Sequence, residues 1–143
     1  MQIDDCAFCR IAAGQADSHV VYRNSDAIAF LPLNPASLGH TLVAPIEHVP
    51  DFFDLNPRLA ASLSSAVLHI AKAVRVAFSP EGMNLITSAG EAASQSVFHL
   101  HVHVVARWTT DRIGEIWPPK TSTADAAQDD VARQIRDAIT RLR

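Results

Sequence analysis

Ser94-Gln95-Ser96-Val97-Phe98-His99-Leu100-His101-Val102-His103-Val104-Val105 sets three of the chain's seven histidines at alternate positions, with apolar residues between them. Such alternation is the period of a strand with one buried face. We read a strand from Val97 to Ala106 whose three imidazoles point the same way, with Leu100, Val102 and Val104 on the buried side. Side chains two apart on a strand lie roughly 6.6 Å from each other, at about 3.3 Å per residue, so neighbouring rings can share a phosphate or a metal. Imidazole titrates near neutrality, and crowding three of them disfavours simultaneous protonation, which keeps a ring neutral and nucleophilic. Gln95 and Ser96 add polar groups where the strand begins.

Upstream, Gly82 to Thr87 reads as another strand, followed by a loop from Ser88 to Ala93 containing Gly90. Asn56-Pro57 is a helix N-cap and first-turn pair, and Leu59, Leu63, Val67, Ile70, Val74 and Phe78 recur at three or four residues. They make an amphipathic helix that ends at Ser79-Pro80. Val20 to Asn24 and Ala27 to Leu31 form a hairpin across Ser25-Asp26. Pro32-Leu33-Asn34-Pro35 is irregular, because proline has no ladder donor. Gly39-His40 then leads into a strand from Thr41 to Ala44. His19 and His69 carry no motif and read as surface or boundary residues.

Downstream, Thr109 to Thr123 is polar and proline-bearing, with Trp117-Pro118-Pro119, and reads as a long arm. Val131, Ile135, Ile139 and Leu142 mark a terminal helix, with Asp125, Asp129 and Asp130 early and Arg136, Arg141 and Arg143 late, in the sense that suits the helix dipole. The elements sum to an α+β fold: an antiparallel sheet of about five strands under one long helix, with a C-terminal helix. At 143 residues we expect a single domain, 1–143, made of a core (1–108) and a C-terminal arm and helix (109–143).

A net charge of −3 without a basic stripe argues against nucleic-acid binding. The start, Met1-Gln2-Ile3-Asp4-Asp5, lacks the character of a secretory signal, and no run reaches the ~18 unbroken apolar residues of a membrane span. A cytoplasmic location is expected. The two cysteines, Cys6 and Cys9, are spaced C-x-x-C, which in a reducing compartment suggests a metal knuckle or a redox pair. Only five residues precede Cys6, too few for the strand and turn of a thioredoxin-like motif. A zinc site needs two further ligands, for which the candidates are His48 and one histidine of the triad.

The run His99-Leu100-His101-Val102-His103-Val104-Val105 resembles the His-φ-His-φ-His-φ-φ signature of the histidine triad family of nucleotide hydrolases and transferases. The resemblance also takes in Cys6-Ala7-Phe8-Cys9-Arg10-Ile11 with Gly14, Gly39-His40-Thr41-Leu42-Val43, His48, and Gly90-Glu91-Ala92 before Gln95-Ser96-Val97. It implies a homodimer in which two sheets join. It also implies structural zinc on Cys6, Cys9, His48 and His99.

For catalysis the resemblance implies that His101 attacks the α-phosphorus of a nucleotide conjugate, such as a purine nucleoside phosphoramidate or dinucleoside polyphosphate. His103 and Ser96 contact the phosphate oxygens, Gln95 is a neutral donor, and His40 orients the neighbouring rings. Three positions depart from the family's pattern: Pro32 stands where an acidic residue often binds the ribose, Ser88 where asparagine is common, and Ser94 where glycine is usual. We expect Asn34 to substitute as a polar contact to the sugar. The phosphoramidase-like branch is favoured by Ser96. The competing readings are a nucleotide-binding or interaction protein with little turnover, and a metal-storage module that would take more than one metal per chain.

Overall fold

The computed structural model describes residues 3–142, so Met1 and Gln2 of the acidic start and Arg143 of the terminal helix lie outside the described residues. The elements run α1 (Ala7–Ala12), β1 (Val20–Arg23), β2 (Ala27–Phe30), β3 (Thr41–Pro45), α2 (Pro57–Phe78), β4 (Gly82–Ile86), β5 (Val102–Arg107) and α3 (Asp125–Arg141), with short 3₁₀ turns at Phe52–Asp54 and Glu91–Ala93. The five strands form one sheet in the order β1-β2-β3-β5-β4, and every neighbouring pair is antiparallel. This is the α+β fold expected.

The hairpin closes because the Asn24 side-chain oxygen accepts from the backbone N–H groups of Asp26 (2.9 Å) and Ala27 (2.7 Å), an Asx turn that takes Asn24 out of β1. α2 starts where its cap predicts: Asn56 Oδ1 accepts from Leu59 N at 2.8 Å, with Pro57 in the first turn. It stops at Ser79, which takes a left-handed backbone (φ 48°). Leu59, Leu63, Val67, Ile70 and Val74 are buried as expected. Phe78, the last of the stripe, runs past the core and is 39% exposed. By length and composition alone α2 meets the requirements of a membrane span; its buried face packs on the sheet as a core helix does.

Two apolar layers flank the sheet. On one face α2 covers Ala27, Ala29, Val43, Leu100, Val104 and Ala106. On the other, Phe8, Ile11 and Ala12 of α1 lie on Ile28, Phe30, Leu42 and Ala44. Covered on both sides, β2 and β3 are buried at every position. The cysteine segment is a short helix capped by a thiol: Cys6 Sγ accepts from Cys9 N at 3.5 Å.

The histidine strand is shorter than the alternation suggests. β5 begins at Val102, leaving His99 and His101 ahead of the ladder. The preceding backbone is committed elsewhere: Leu100 N donates to the Val49 carbonyl at 2.7 Å, and Ser94 adopts φ 69° at the end of the 3₁₀ turn. The face assignment holds for Leu100 and Val104, which are fully buried under α2, while Val102 is half-buried against the same core.

Past β5, the arm is anchored by Arg107, whose guanidinium binds both carboxylate oxygens of Asp111 and the Gly114 carbonyl. α3 forms with the expected charge order, but its stripe stays uncovered, Val131, Ile135 and Ile139 being 47%, 57% and 52% exposed.

Candidate functional site

The α1 face of the sheet carries two adjoining clusters. In the first, Cys6 and Cys9 come from α1, His48 from just past β3, and His99 from the approach to β5. One ligand atom from each lies within 4.8 Å of all the others. Cys6 Sγ and Cys9 Sγ are 3.4 and 3.5 Å from His99 Nδ1, and Cys9 Sγ is 3.4 Å from His48 Nδ1. With Zn–S about 2.3 Å and Zn–N about 2.0 Å, a tetrahedron sets S and N roughly 3.5 Å apart. The donor set and its spacing fit that ion.

His99 Nε2 donates to the Pro45 carbonyl at 2.8 Å, which leaves the Nδ1 lone pair facing the thiols. Burial pushes the Cys9 thiol up and, aided by His48 and His101, brings His99 down to about 4. His99 is therefore neutral at pH 7, as a metal ligand must be. The four side chains are positioned to hold one metal ion, and four protein ligands would leave no coordination position for a catalytic water.

The second cluster is a relay of imidazoles. His101 Nδ1 donates to the His99 carbonyl at 2.7 Å, so its proton sits on Nδ1 and the Nε2 lone pair is free. The Ala36 N–H donates to His40 Nδ1 at 3.0 Å. His40 Nε2 must then carry the proton, which it donates to His103 Nδ1 at 2.9 Å. His103 in turn presents an Nε2–H. The His101 and His103 rings stand 4.9 Å apart, centroid to centroid. Burial lowers His40 and His101, and burial with the two neighbouring imidazoles brings His103 down to about 4. The three rings are neutral near pH 7: one offers a nucleophilic nitrogen, and its neighbour an N–H.

Two residues that the sequence did not single out complete this cluster. Phe8 sets its ring edgewise against His101 (5.0 Å), His99 (5.9 Å) and Phe30 (5.0 Å). Its position between the cysteines was the available signal. Thr87, at the end of the strand predicted over 82–87, donates its hydroxyl to the His101 carbonyl at 2.9 Å.

The other expected residues lie in loops. Gln95 is buried, its oxygen accepting from Gly90 N at 2.8 Å and its amide donating to the Pro50 (2.8 Å) and Val97 (3.2 Å) carbonyls. It braces the loop that carries Ser96 rather than presenting a free amide. Ser96 and Asn34 are exposed, and Ser88 and Pro32 are half-buried.

Residues 13–110 match the HIT domain. The chain belongs to the HIT family. It is 38% identical over 129 residues to protein hit of Bacillus subtilis, covering 90% of this chain and 88% of that protein. A HIT relative from Arabidopsis thaliana named adenylylsulfatase HINT3 is 33% identical over 108 residues, which are 76% of this chain and 55% of that protein. Among solved structures, a zinc-bound histidine triad protein from Mycobacterium smegmatis superposes with a TM-score of 0.72 at 32% identity, covering 96% of this chain and 95% of that one.

Proposed function

We propose that this HIT protein is a nucleotidyl hydrolase or transferase that works through a nucleotidyl-histidine on His101. The observation that carries the reading is the donation of His101 Nδ1–H to the His99 carbonyl, which leaves Nε2 as an unprotonated nucleophile beside His103. His101 Nε2 attacks the α-phosphorus; a P–N bond forms as the bond to the leaving group breaks, and the leaving group takes up a proton from solvent, which the water of the second step returns. Water then attacks the same phosphorus, the P–N bond breaks, and a nucleoside monophosphate leaves with His101 neutral again. His103 Nε2–H stabilises charge on the phosphoryl oxygens in both steps. Ser96 contacts the phosphate near the leaving group.

A phosphoramidate, a dinucleoside polyphosphate or a mixed anhydride all meet this chemistry, and the adenylylsulfatase relative adds adenylyl sulfate to that class. Zinc on Cys6, Cys9, His48 and His99 holds α1, and with it Phe8, against the histidines. The chain works in the cytoplasm as a homodimer joined through the β4 edge, where Leu85 and Ile86 are 55% and 36% exposed. A second reading, nucleotide binding with little turnover, is favoured by Pro32 in the ribose position and by the commitment of the Gln95 amide to backbone carbonyls.

The test is to mix the protein with adenosine phosphoramidate, quench in base and look by mass spectrometry for an adenylate on the His101 peptide. An adduct, absent in His101→Asn, supports the hydrolase. Folded protein that binds nucleotide but yields neither adduct nor AMP supports the binding reading.

A further inference from the structure

A cavity of about 560 Å³ lies between α2, β1 and the loop over residues 31–40; its lining includes His40 but neither His101 nor His103. Its walls are mostly apolar, and the lining contains no Asp, Glu, Lys or Arg. His40 and Thr41 also line it, but their polar hydrogens go to His103 Nδ1 and the Gly39 carbonyl; the remaining polar groups are the His19 and His69 imidazoles, the Tyr22 phenol and the Ser37 hydroxyl. The Ser37 oxygen is buried and has no hydrogen-bond partner, the one such side-chain atom among the described residues. Buried polar atoms are nearly always satisfied, so this one calls for a partner. A concave apolar pocket with a few converging polar groups is the usual form of a small-molecule site.

We propose that this cavity is a second ligand site, for a small molecule with a flat apolar body and one anionic or hydrogen-bonding head. The flat body is indicated by the ring surfaces: Tyr22 and His69 lie 5.0 Å apart as a tilted pair on one side, and Phe78 lies on another. The head group follows from a lining with donors at Ser37, His19, His69 and Tyr22 and no carboxylate to repel an anion.

The site is joined to the imidazole relay by one loop, and this part of the inference rests on the role given to His40 above. Ser37 and Leu38 line the cavity between Ala36, whose N–H holds His40 Nδ1, and Gly39-His40. Gly39 has φ +80°, and a Cβ there would sit 2.7 Å from the Phe78 ring, so that ring bears directly on the backbone preceding His40. A ligand pressing on Phe78 and Ser37 therefore acts on both contacts that set the His40–His103 hydrogen bond.

Anilinonaphthalene sulfonate, a flat aromatic monoanion, is the probe, titrated by fluorescence into the full chain. We expect saturable binding of one probe per chain, weakened roughly two- to tenfold by Ser37→Ala. Filling the cavity with Ala73→Trp should weaken it on the order of tenfold or more, while Val76→Ser, on an exposed part of α2 outside the cavity, should leave it unchanged. Non-saturating binding, or equal binding to Ala73→Trp, overturns the proposal. So does sedimentation showing that Ala73→Trp dissociates an oligomer, because a second copy would then be the occupant. The coupling is read without substrate at His103, which lies outside the lining: the probe should shift its ring NMR resonances, and unmoved resonances overturn that half whether or not the protein turns over nucleotides.

Discussion

Acid should unfold the metal-free protein through His99, and the size of the effect can be worked out in advance. Its ring is fully buried and its pKa is brought down from 6.5 to about 4, chiefly by loss of hydration. In the unfolded chain the same imidazole titrates near 6.5. Between those values the unfolded state binds a proton that the folded state refuses, so stability falls as pH drops below 6.5 and the loss levels off below about 4. From pH 7 to pH 5, integrating the difference gives about 2 kcal/mol from this one residue. His40, His101 and His103 are lowered too and add to the slope, so the contribution of His99 is isolated by comparison with His99→Asn. The assay is urea unfolding at both pH values in the presence of a chelator. The variant should be less stable at pH 7 yet lose about 2 kcal/mol less than the parent on acidification. Equal losses in the two proteins would refute the argument that His99 is held neutral by burial.

His40→Ala removes the donor to His103 Nδ1; turnover of adenosine phosphoramidate should fall roughly ten- to a hundredfold, the range seen when a partner fixing an imidazole's tautomer is lost, and an unchanged rate would remove His40 from the relay. Gly39→Ala forces a side chain into a left-handed backbone, a cost of about 1–2 kcal/mol, and against the Phe78 ring at 2.7 Å; denaturant unfolding should show at least that loss, and parental stability would mean that the loop relaxes freely. Metal analysis of the purified protein should find one zinc per chain, sharply reduced in Cys9→Ser; two or more equivalents would favour storage through His101 and His103.

How legible the fold was depended on the length of each signal. α2 was readable because its stripe, cap and stop repeat one message over 22 residues. α1 was not: six residues are too few to show a period, and its cap is a thiol rather than a preferred N-cap side chain. The α3 stripe predicted a helix correctly, but periodicity reports the apolar face and not what covers it. The metal set was half legible. C-x-x-C indicated two ligands, whereas choosing His48 and His99 depended on family resemblance, because only the sheet brings positions about 40 and 90 residues away onto the cysteines. Phe8 and Thr87 were missed for the same reason, as their partners are long-range in sequence.

The early end of the histidine strand has a chemical consequence. Alternation describes where side chains point and is silent on whether backbone groups have ladder partners. Had His99 and His101 lain within the ladder, their carbonyls would have been candidates for strand pairing. Instead, with β5 beginning at Val102, the His99 carbonyl is taken by the His101 imidazole and the His101 carbonyl by the Thr87 hydroxyl. The irregular backbone thus becomes the acceptor that sets the tautomer of His101, the proposed nucleophile. The His99 ring, fixed between the thiols and the Pro45 carbonyl, holds that acceptor in place. On the proposed mechanism the thiol–imidazole cluster would act on the reaction without touching it. Losing it should lower the rate by loosening the His101 orientation, while the mass of any trapped adduct stays the same.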